Sequence, residues 1–444
     1  MTRLRRMTLM LLVAGSFVGF ASPVGAGELE TRLREHARPL SAEADLDQLL
    51  SAAASARVVL LGEATHGTRE FYEWRAAITR RLIQEQGVTV VAVEGDWRPM
   101  IEVDAYGRGE GTADEATEVL RLFKRWPQWM WANQSFAELI EWIRQWNTGR
   151  GPSEQVRIRG LDLYGFGASL HEVEAFFRRH LPRQSKTVRR HYARLRRYRG
   201  DGQTYASDIL AGGRSAESGV RAVVDLLRDP ALEAGNIPQD KLFVARQDAS
   251  IVKRAEAFYR ATLEPGERSW NVRAEHMWLT LARLLEHHGP EARAVVWAHN
   301  THVGDARATD MATTGAINIG QLSREALGRK SVFIVGFATH RGETIAGKSW
   351  GGRRRVLSLP PARRESWDGV LQRAGGGDHW LLLDDAVRED PLLRPSRPQR
   401  AIGVVYNPKH ESVVNYTQTV LPSRFDALIF IAESHALEPL HSPN

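Results

Sequence analysis

Residues 57–75 read RVVLLGEATHGTREFYEWR. Val58 to Leu61 is a short apolar run, suited to a strand buried on both faces. Gly62 breaks the run. Glu63 and His66 follow three residues apart, in the turn that leaves the strand. Thr68 is placed to cap a helix from Arg69 to Gln86. A carboxylate and an imidazole therefore sit on a tight loop at the carboxyl end of a buried strand. In open α/β sheets that edge is where ligands bind. A buried Glu beside a His also fixes the ring tautomer and raises imidazole basicity.

Working outward, the same pattern recurs. Val88–Val93 is a second buried run and ends in Glu94-Gly95-Asp96. Val156–Leu161 is a third and ends in Asp162-Leu163-Tyr164-Gly165. Ala294–Ala298 ends in His299-Asn300-Thr301-His302, and Ser331–Phe337, Trp380–Leu383, Ala401–Val405 and Ala427–Ile431 read as further strands. Helical periodicity lies between them: two short helices over Leu29–Leu50, then Arg98–Tyr106, Asp114–Phe123 and Phe136–Trp146. From 168 to 288 no buried strand is seen and helical patterning dominates, its last helix running from Trp270 to His288. The expected fold is α/β, a mostly parallel central sheet flanked by helices, with a core of 27–167 and 289–444. Residues 168–288 form a large helical insertion or lid over the active-site cleft. The segment 306–316, rich in Thr, Asp and Gly, is expected to be a mobile active-site loop.

Glu63, His66, Glu94, His299 and His302 all fall at carboxyl ends of strands, which a parallel sheet brings together. VVLLGEATHG and VVWAHNTHVG share one build: an apolar strand, polar groups at i and i+3, then Gly. This echo implies two related strand–helix units facing one pocket. A hydrolase made from these groups uses water directly. His66 takes the proton, Glu63 orients the ring, and Arg75 with a later histidine steadies the oxyanion. Trp126, Trp129 and Trp131 read either as core packing or as an aromatic wall for a large apolar ligand. On the second reading Trp129 contacts substrate, as do Asp162 and Tyr164.

Several classes are excluded or disfavoured. No Gly-x-Ser-x-Gly or His-Glu-x-x-His motif occurs. Gly342–Ser349 (GETIAGKS) fits a P-loop pattern, but Trp350-Gly351-Gly352 follows where a helix must start, so a loop or hairpin is expected. The chain has no cysteine, which removes disulfides, thiol nucleophiles and Cys-based zinc sites. Residues 1–26 carry Arg3, Arg5 and Arg6, an uncharged apolar run from Met7 to Ala21 and a small-residue Val24-Gly25-Ala26 end, the pattern of a signal peptide. A periplasmic or secreted protein is therefore expected, with no membrane attachment after cleavage. Loss of three arginines takes the net charge from +7 to +4, which gives no support to nucleic-acid binding.

Taken together, GEATHGTREFYEWR, VVAVEGDW, WMWANQSFAELIEWIRQWN, GLDLYG, WNVRAEHM, WAHNTHV, IGVVYNP and FDALIFI resemble the erythromycin esterase family in order and spacing, from about 40 to 440. The resemblance implies an α/β core with a helical part over a deep cleft, and hydrolysis of the macrolactone ester of macrolide antibiotics, a resistance activity. It places the catalytic base on His66 with Glu63 beside it. The supporting glutamate falls on Glu94, an arginine on Arg75 and the later histidine pair on His299 and His302, while Arg273 matches a further cleft arginine. The expected substrate is a small-molecule ester or lactone. No cofactor is required, although Glu63, His66, Glu94, His299 and His302 are an oxygen–nitrogen set that a divalent metal would accept. Two other readings share the site: a metal-dependent hydrolase of another ester or amide from the cell envelope, and a non-catalytic envelope or polysaccharide-associated binding protein.

Overall fold

A computed structural model of the chain describes residues 26–441; the leader pattern of residues 1–26 lies outside them, apart from Ala26, which opens the first helix. In chain order the strands are β1 (Arg38–Pro39), β2 (Val58–Leu61), β3 (Val90–Asp96), β4 (Arg157–Asp162), β5 (Ala294–Trp297) and β6 (Val332–Gly347). They continue as β7 (Arg354–Leu359), β8 (His379–Leu382), β9 (Arg397–Arg400), β10 (Tyr416–Thr419) and β11 (Ala427–Ser434).

The apolar run of the opening stretch, β2, is buried along its whole length and lies near the middle of a nine-stranded sheet. The order is β1-β8-β11-β6-β2-β5-β3-β4, with β7 hooked onto β6. Every pairing from β11 to β4 is parallel. Only β8, β1 and β7 join by antiparallel pairs. Strands buried on both faces send alternate residues to opposite cores. Val58, Leu60, Val90, Ala92 and Val296 enter one core, together with the helices between β4 and β5. Val59, Leu61, Val91, Val93 and Trp297 enter the other, together with the helices Arg69–Gln86, Trp97–Gly107 and Gln134–Asn147.

Between β4 and β5 the chain is helical: Phe166–His180, Pro182–Arg196, Gly202–Leu210, Glu217–Leu227, Gln239–Ala261 and Arg268–His287. The helix after β2 runs from Arg69 to Gln86 and stops at Gly87, whose φ of +67° is the left-handed C-terminal cap that favours glycine. The two sequence echoes are neighbours in register, with Leu61 opposite Trp297. Glu63 and His299 therefore stand at equivalent positions just past the paired strand ends.

Four expectations need correction. Thr68 has an extended backbone at the start of its helix, but its hydroxyl bonds Thr65 rather than a helix N–H. Residues 401–405 do not form a strand: β9 ends at Arg400, and Ile402 instead donates its N–H to Ala64 O (2.8 Å). The run begun at Ser331 does not stop at Phe337; β6 continues to Gly347 and pairs antiparallel with β7, so the P-loop-like stretch is one arm of a hairpin, as expected of it. The helix expected over 114–123 is only Ala116–Leu120.

Gly67 holds the loop down on the sheet. Ile345 N–H donates to Gly67 O at 3.1 Å. A methyl group on Gly67 would stand 2.2 Å from Ile345 O and 2.5 Å from Ile345 N, both backbone atoms that cannot swing away. Gly67→Ala is expected to cost about 1–3 kcal/mol, read as a lower urea midpoint at unchanged slope. An unchanged midpoint would show that the loop is free to lift off β6.

Candidate active site

The carboxyl ends of β3 and β4, with Glu94 and Asp162, and the segments that follow β2 and β5, with Glu63, His66, His299 and His302, meet at the same edge of the sheet. A cavity of about 570 Å³ opens there. His66, Glu94, Asp162, Tyr164, Arg273, His299 and His302 line it. Its apolar walls include Phe123, Met130, Trp131, Trp270 and Trp350.

Glu63 lies behind this wall, 1 % exposed, and each of its oxygens has one partner. His66 Nδ1–H donates to Oε1 at 2.8 Å, and Arg75 Nη2 donates to Oε2 at 2.7 Å. A carboxylate accepts only, so the bond places the His66 proton on Nδ1 and leaves the Nε2 lone pair toward the cleft. Among the described residues Nε2 has no protein hydrogen bond. Burial opposes the imidazolium. The Glu63 hydrogen bond and charge, with help from Glu94, outweigh burial and raise the His66 pKa above its ordinary 6.5.

Arg75 is fully buried, with its guanidinium 4.3 Å from the Tyr72 ring centre and 4.6 Å from that of Trp297. It does not line the cavity. The expectation that Arg75 steadies an oxyanion is therefore corrected: it holds Glu63 in place from behind.

A second network faces His66. Arg273, from the helix Arg268–His287, donates Nε to Asp162 Oδ1 (3.0 Å) and Nη2 to Asp162 Oδ2 (2.6 Å), a bidentate pair. Nη2 also reaches Glu94 Oε1 (2.7 Å), and Nη1 lies 2.9 Å from His302 Nε2. Glu94 Oε2 accepts the backbone N–H of His299 (3.0 Å). Burial works against the Glu94 charge, but His302 and Arg273 prevail and hold its carboxyl well below the usual range.

His299 is tied off. Thr301 N–H points at its Nδ1 (3.3 Å), so the proton is on Nε2, which donates to Ala64 O (3.2 Å). Burial, then the nearby His66, push its pKa well below the ordinary value. It is a neutral ring 4.8 Å, centre to centre, from His66. His302 stacks on Trp270 with ring centres 4.5 Å apart.

Trp129 is 0 % exposed in the core and does not line the cleft, so the substrate contact expected of it is corrected; the neighbouring Trp131 lines the cleft instead, its Nε1 donating to Glu94 O (3.0 Å). The 306–316 segment also does not line the cleft; Thr309 bridges to Thr419 of β10. Sequence reasoning missed three contributors. Trp270 sits one helical turn before Arg273, and 3.6-residue periodicity puts the two on one face. Thr301, between the two histidines, fixes the His299 tautomer. Arg125, which pairs bidentately with Asp96 (2.7 and 2.8 Å) and covers Tyr164, carries no sequence signal.

The donor set does not fit a metal as arranged. The Arg273 guanidinium already fills the space among Glu94, Asp162 and His302. Among the described residues no three His, Asp or Glu side chains are spaced around a common ion position.

Comparison with known proteins agrees with this architecture. A Bacillus cereus protein matches with a TM-score of 0.79 and 20% identity, covering 95% of this chain and 100% of that one. A protein described as a succinoglycan biosynthesis protein matches at 0.76 and 20% identity, covering 94% and 100%. A mutant of the erythromycin esterase EreC in its open conformation matches at 0.65 and 17% identity, covering 89% and 95%. At these identities the likeness is one of fold. Erythromycin esterase type II of Escherichia coli is 27% identical over 138 residues, a match spanning 30% of this chain and 31% of that protein. The erythromycin esterase family model matches residues 83–434, which hold Glu94, Arg273, His299 and His302 and follow the Glu63–His66 loop. This chain belongs to the erythromycin esterase family.

Proposed function

We propose that the chain is a carboxylic-ester hydrolase in which His66 activates water. The observation that carries the reading is the Glu63–His66 pair, with Nδ1–H fixed on a buried carboxylate and Nε2 open to the cleft. Nε2 takes a proton from water as the oxygen attacks the ester carbonyl. The imidazolium formed is stabilised by Glu63 and returns its proton to the leaving alkoxide. Arg273 and His302 stand across the cleft, where the carbonyl oxygen gains charge. Glu94 and Asp162 lock the guanidinium, so little reorganisation accompanies the reaction.

The aromatic walls and the size of the cavity suit a large apolar ester. Family membership makes a macrolide lactone the first substrate to test. Export, read from the leader pattern alone, would place such an enzyme where it meets an antibiotic before entry. The cation already present, Arg273, makes a metal-independent reaction the simpler reading.

Incubation of purified residues 27–444 with erythromycin is expected to give a product heavier by one water, about 18 mass units, unchanged by a chelator. His66→Ala is expected to lower the rate by about 10²–10⁴-fold while circular dichroism stays native. Loss of turnover on chelation, restored by one ion, favours metal dependence. Unchanged macrolide redirects the search to other lactones and envelope esters, and an active His66→Ala protein removes His66 as the base.

The pH profile has a definite sign. A base must be neutral to act, and the raised His66 pKa means it stays protonated above pH 6.5. The acid limb of kcat/KM is therefore expected above 6.5. Glu63→Gln removes the larger causes that raise the pKa and leaves Glu94 alone against burial and Arg273, which lower it, so the limb moves to lower pH as the maximal rate falls. A limb that does not move would mean that another group sets it.

A further inference from the structure

We infer that the helical segment carries a second ligand site, selective for an organic phosphate, in a cavity between the helices Glu217–Leu227, Gln239–Ala261 and Arg268–His287. This cavity is about 530 Å³ and shares no lining residue with the catalytic cleft. Its wall brings together Arg228, Arg246, Lys253, Arg254 and Arg283 against a single carboxylate side chain, Glu286.

Three of these cations have acidic partners outside the cavity: Arg228 with Asp225 (3.4 Å), Arg246 with Glu233 (2.8 Å) and Arg254 with Glu275 (3.0 Å). Two do not. Arg283 donates only to neutral oxygens, Gln247 Oε1 (3.0 Å) and Ser250 Oγ (2.8 Å). Lys253 has no hydrogen bond or ion pair among the described residues. Partial burial, then the neighbouring arginines, push both side chains below their ordinary pKa; Asp225 beside Lys253 and Glu286 beside Arg283 offset this only in part.

Cations held together in a concave, partly dehydrated site gain most from a bound anion. The two cations without an ion pair, beside three paired arginines and only partly offset by Glu286, suit a phosphomonoester, which carries about −1.5 to −2 at pH 7. Apolar groups share the wall with Gln247 and Ser250: Leu227, Leu279 and Phe243, whose ring stacks on His287 at 4.0 Å. That half of the cavity fits the organic body of the ligand, so free phosphate would fill only part of it. The helix Arg268–His287 joins the two sites. It presents Arg273 to the catalytic cleft, and three turns on it presents Arg283 to this cavity. The assignment does not depend on the esterase reading.

Calorimetric titration of residues 27–444 with phenyl phosphate, at low ionic strength, is expected to saturate a single site. Phenyl phosphate should bind more tightly than inorganic phosphate. Lys253→Gln and Arg283→Gln should each weaken it by about tenfold, and Arg125→Gln in the catalytic cleft should leave it unchanged. Lys253 holds no other residue in place, so its variant tests the site without loosening the helices. Failure to saturate at millimolar phenyl phosphate would overturn the inference. So would wild-type binding by Lys253→Gln, equal affinity for inorganic phosphate, or loss of binding in Arg125→Gln.

Discussion

The Glu63 carboxylate, buried between Arg75 and His66, is the constraint on which the site depends. Taking a carboxylate out of water costs several kcal/mol unless each oxygen finds a strong donor. Here each oxygen has one, at 2.7 and 2.8 Å. Arg75 can serve only because Tyr72 and Trp297 cover its guanidinium on the ring-facing sides. Trp297 ends β5, and β5 is inserted between β2 and β3. Strand order, helix register and the proton position on His66 are thus one problem with one solution.

The second network has a different architecture and completes the first. Glu94 and Asp162 come from the sheet, whereas Arg273 comes from the last helix of the segment between β4 and β5. The bidentate Arg273–Asp162 pair and the Arg273–Glu94 bond tie that segment to the strand edge. Charge is sorted across the cleft as a result. The Glu63 side favours a protonatable ring, the Arg273 side holds a permanent cation, and the neutral His299 sits between them with both ring nitrogens bonded. A proton gained at His66 therefore forms opposite a group suited to negative charge.

Much of this was legible in the sequence because it is local. Four apolar residues, a Gly, and Glu63 and His66 three apart specify a strand end and a tight turn from nearest neighbours alone. The helix from Arg69 to Gln86 follows from its periodicity and from Gly87. The echo between the Glu63 and His299 stretches also proved structural, since β2 and β5 are adjacent and in register. What escaped was direction and distance. Whether Arg75 points into the cleft or behind Glu63 depends on Trp297, more than 200 positions away. Trp129 and Trp131, two residues apart and both buried, differ in role because only Trp131 reaches the cleft, at the end of β3 where it bonds Glu94 O. Ala401–Val405 has strand composition but meets the Ala64 loop instead of another strand. Arg125 finds Asp96 only through the fold.

The central claim is that Glu63 fixes His66 as an Nδ1-protonated base of raised pKa. The most direct measurement is an imidazole ¹⁵N NMR titration of His66, assigned by comparison with His66→Gln. The account predicts that Nδ1 keeps its proton throughout and that Nε2 titrates above pH 6.5. A neutral ring protonated on Nε2, or a titration below 6.5, would contradict it.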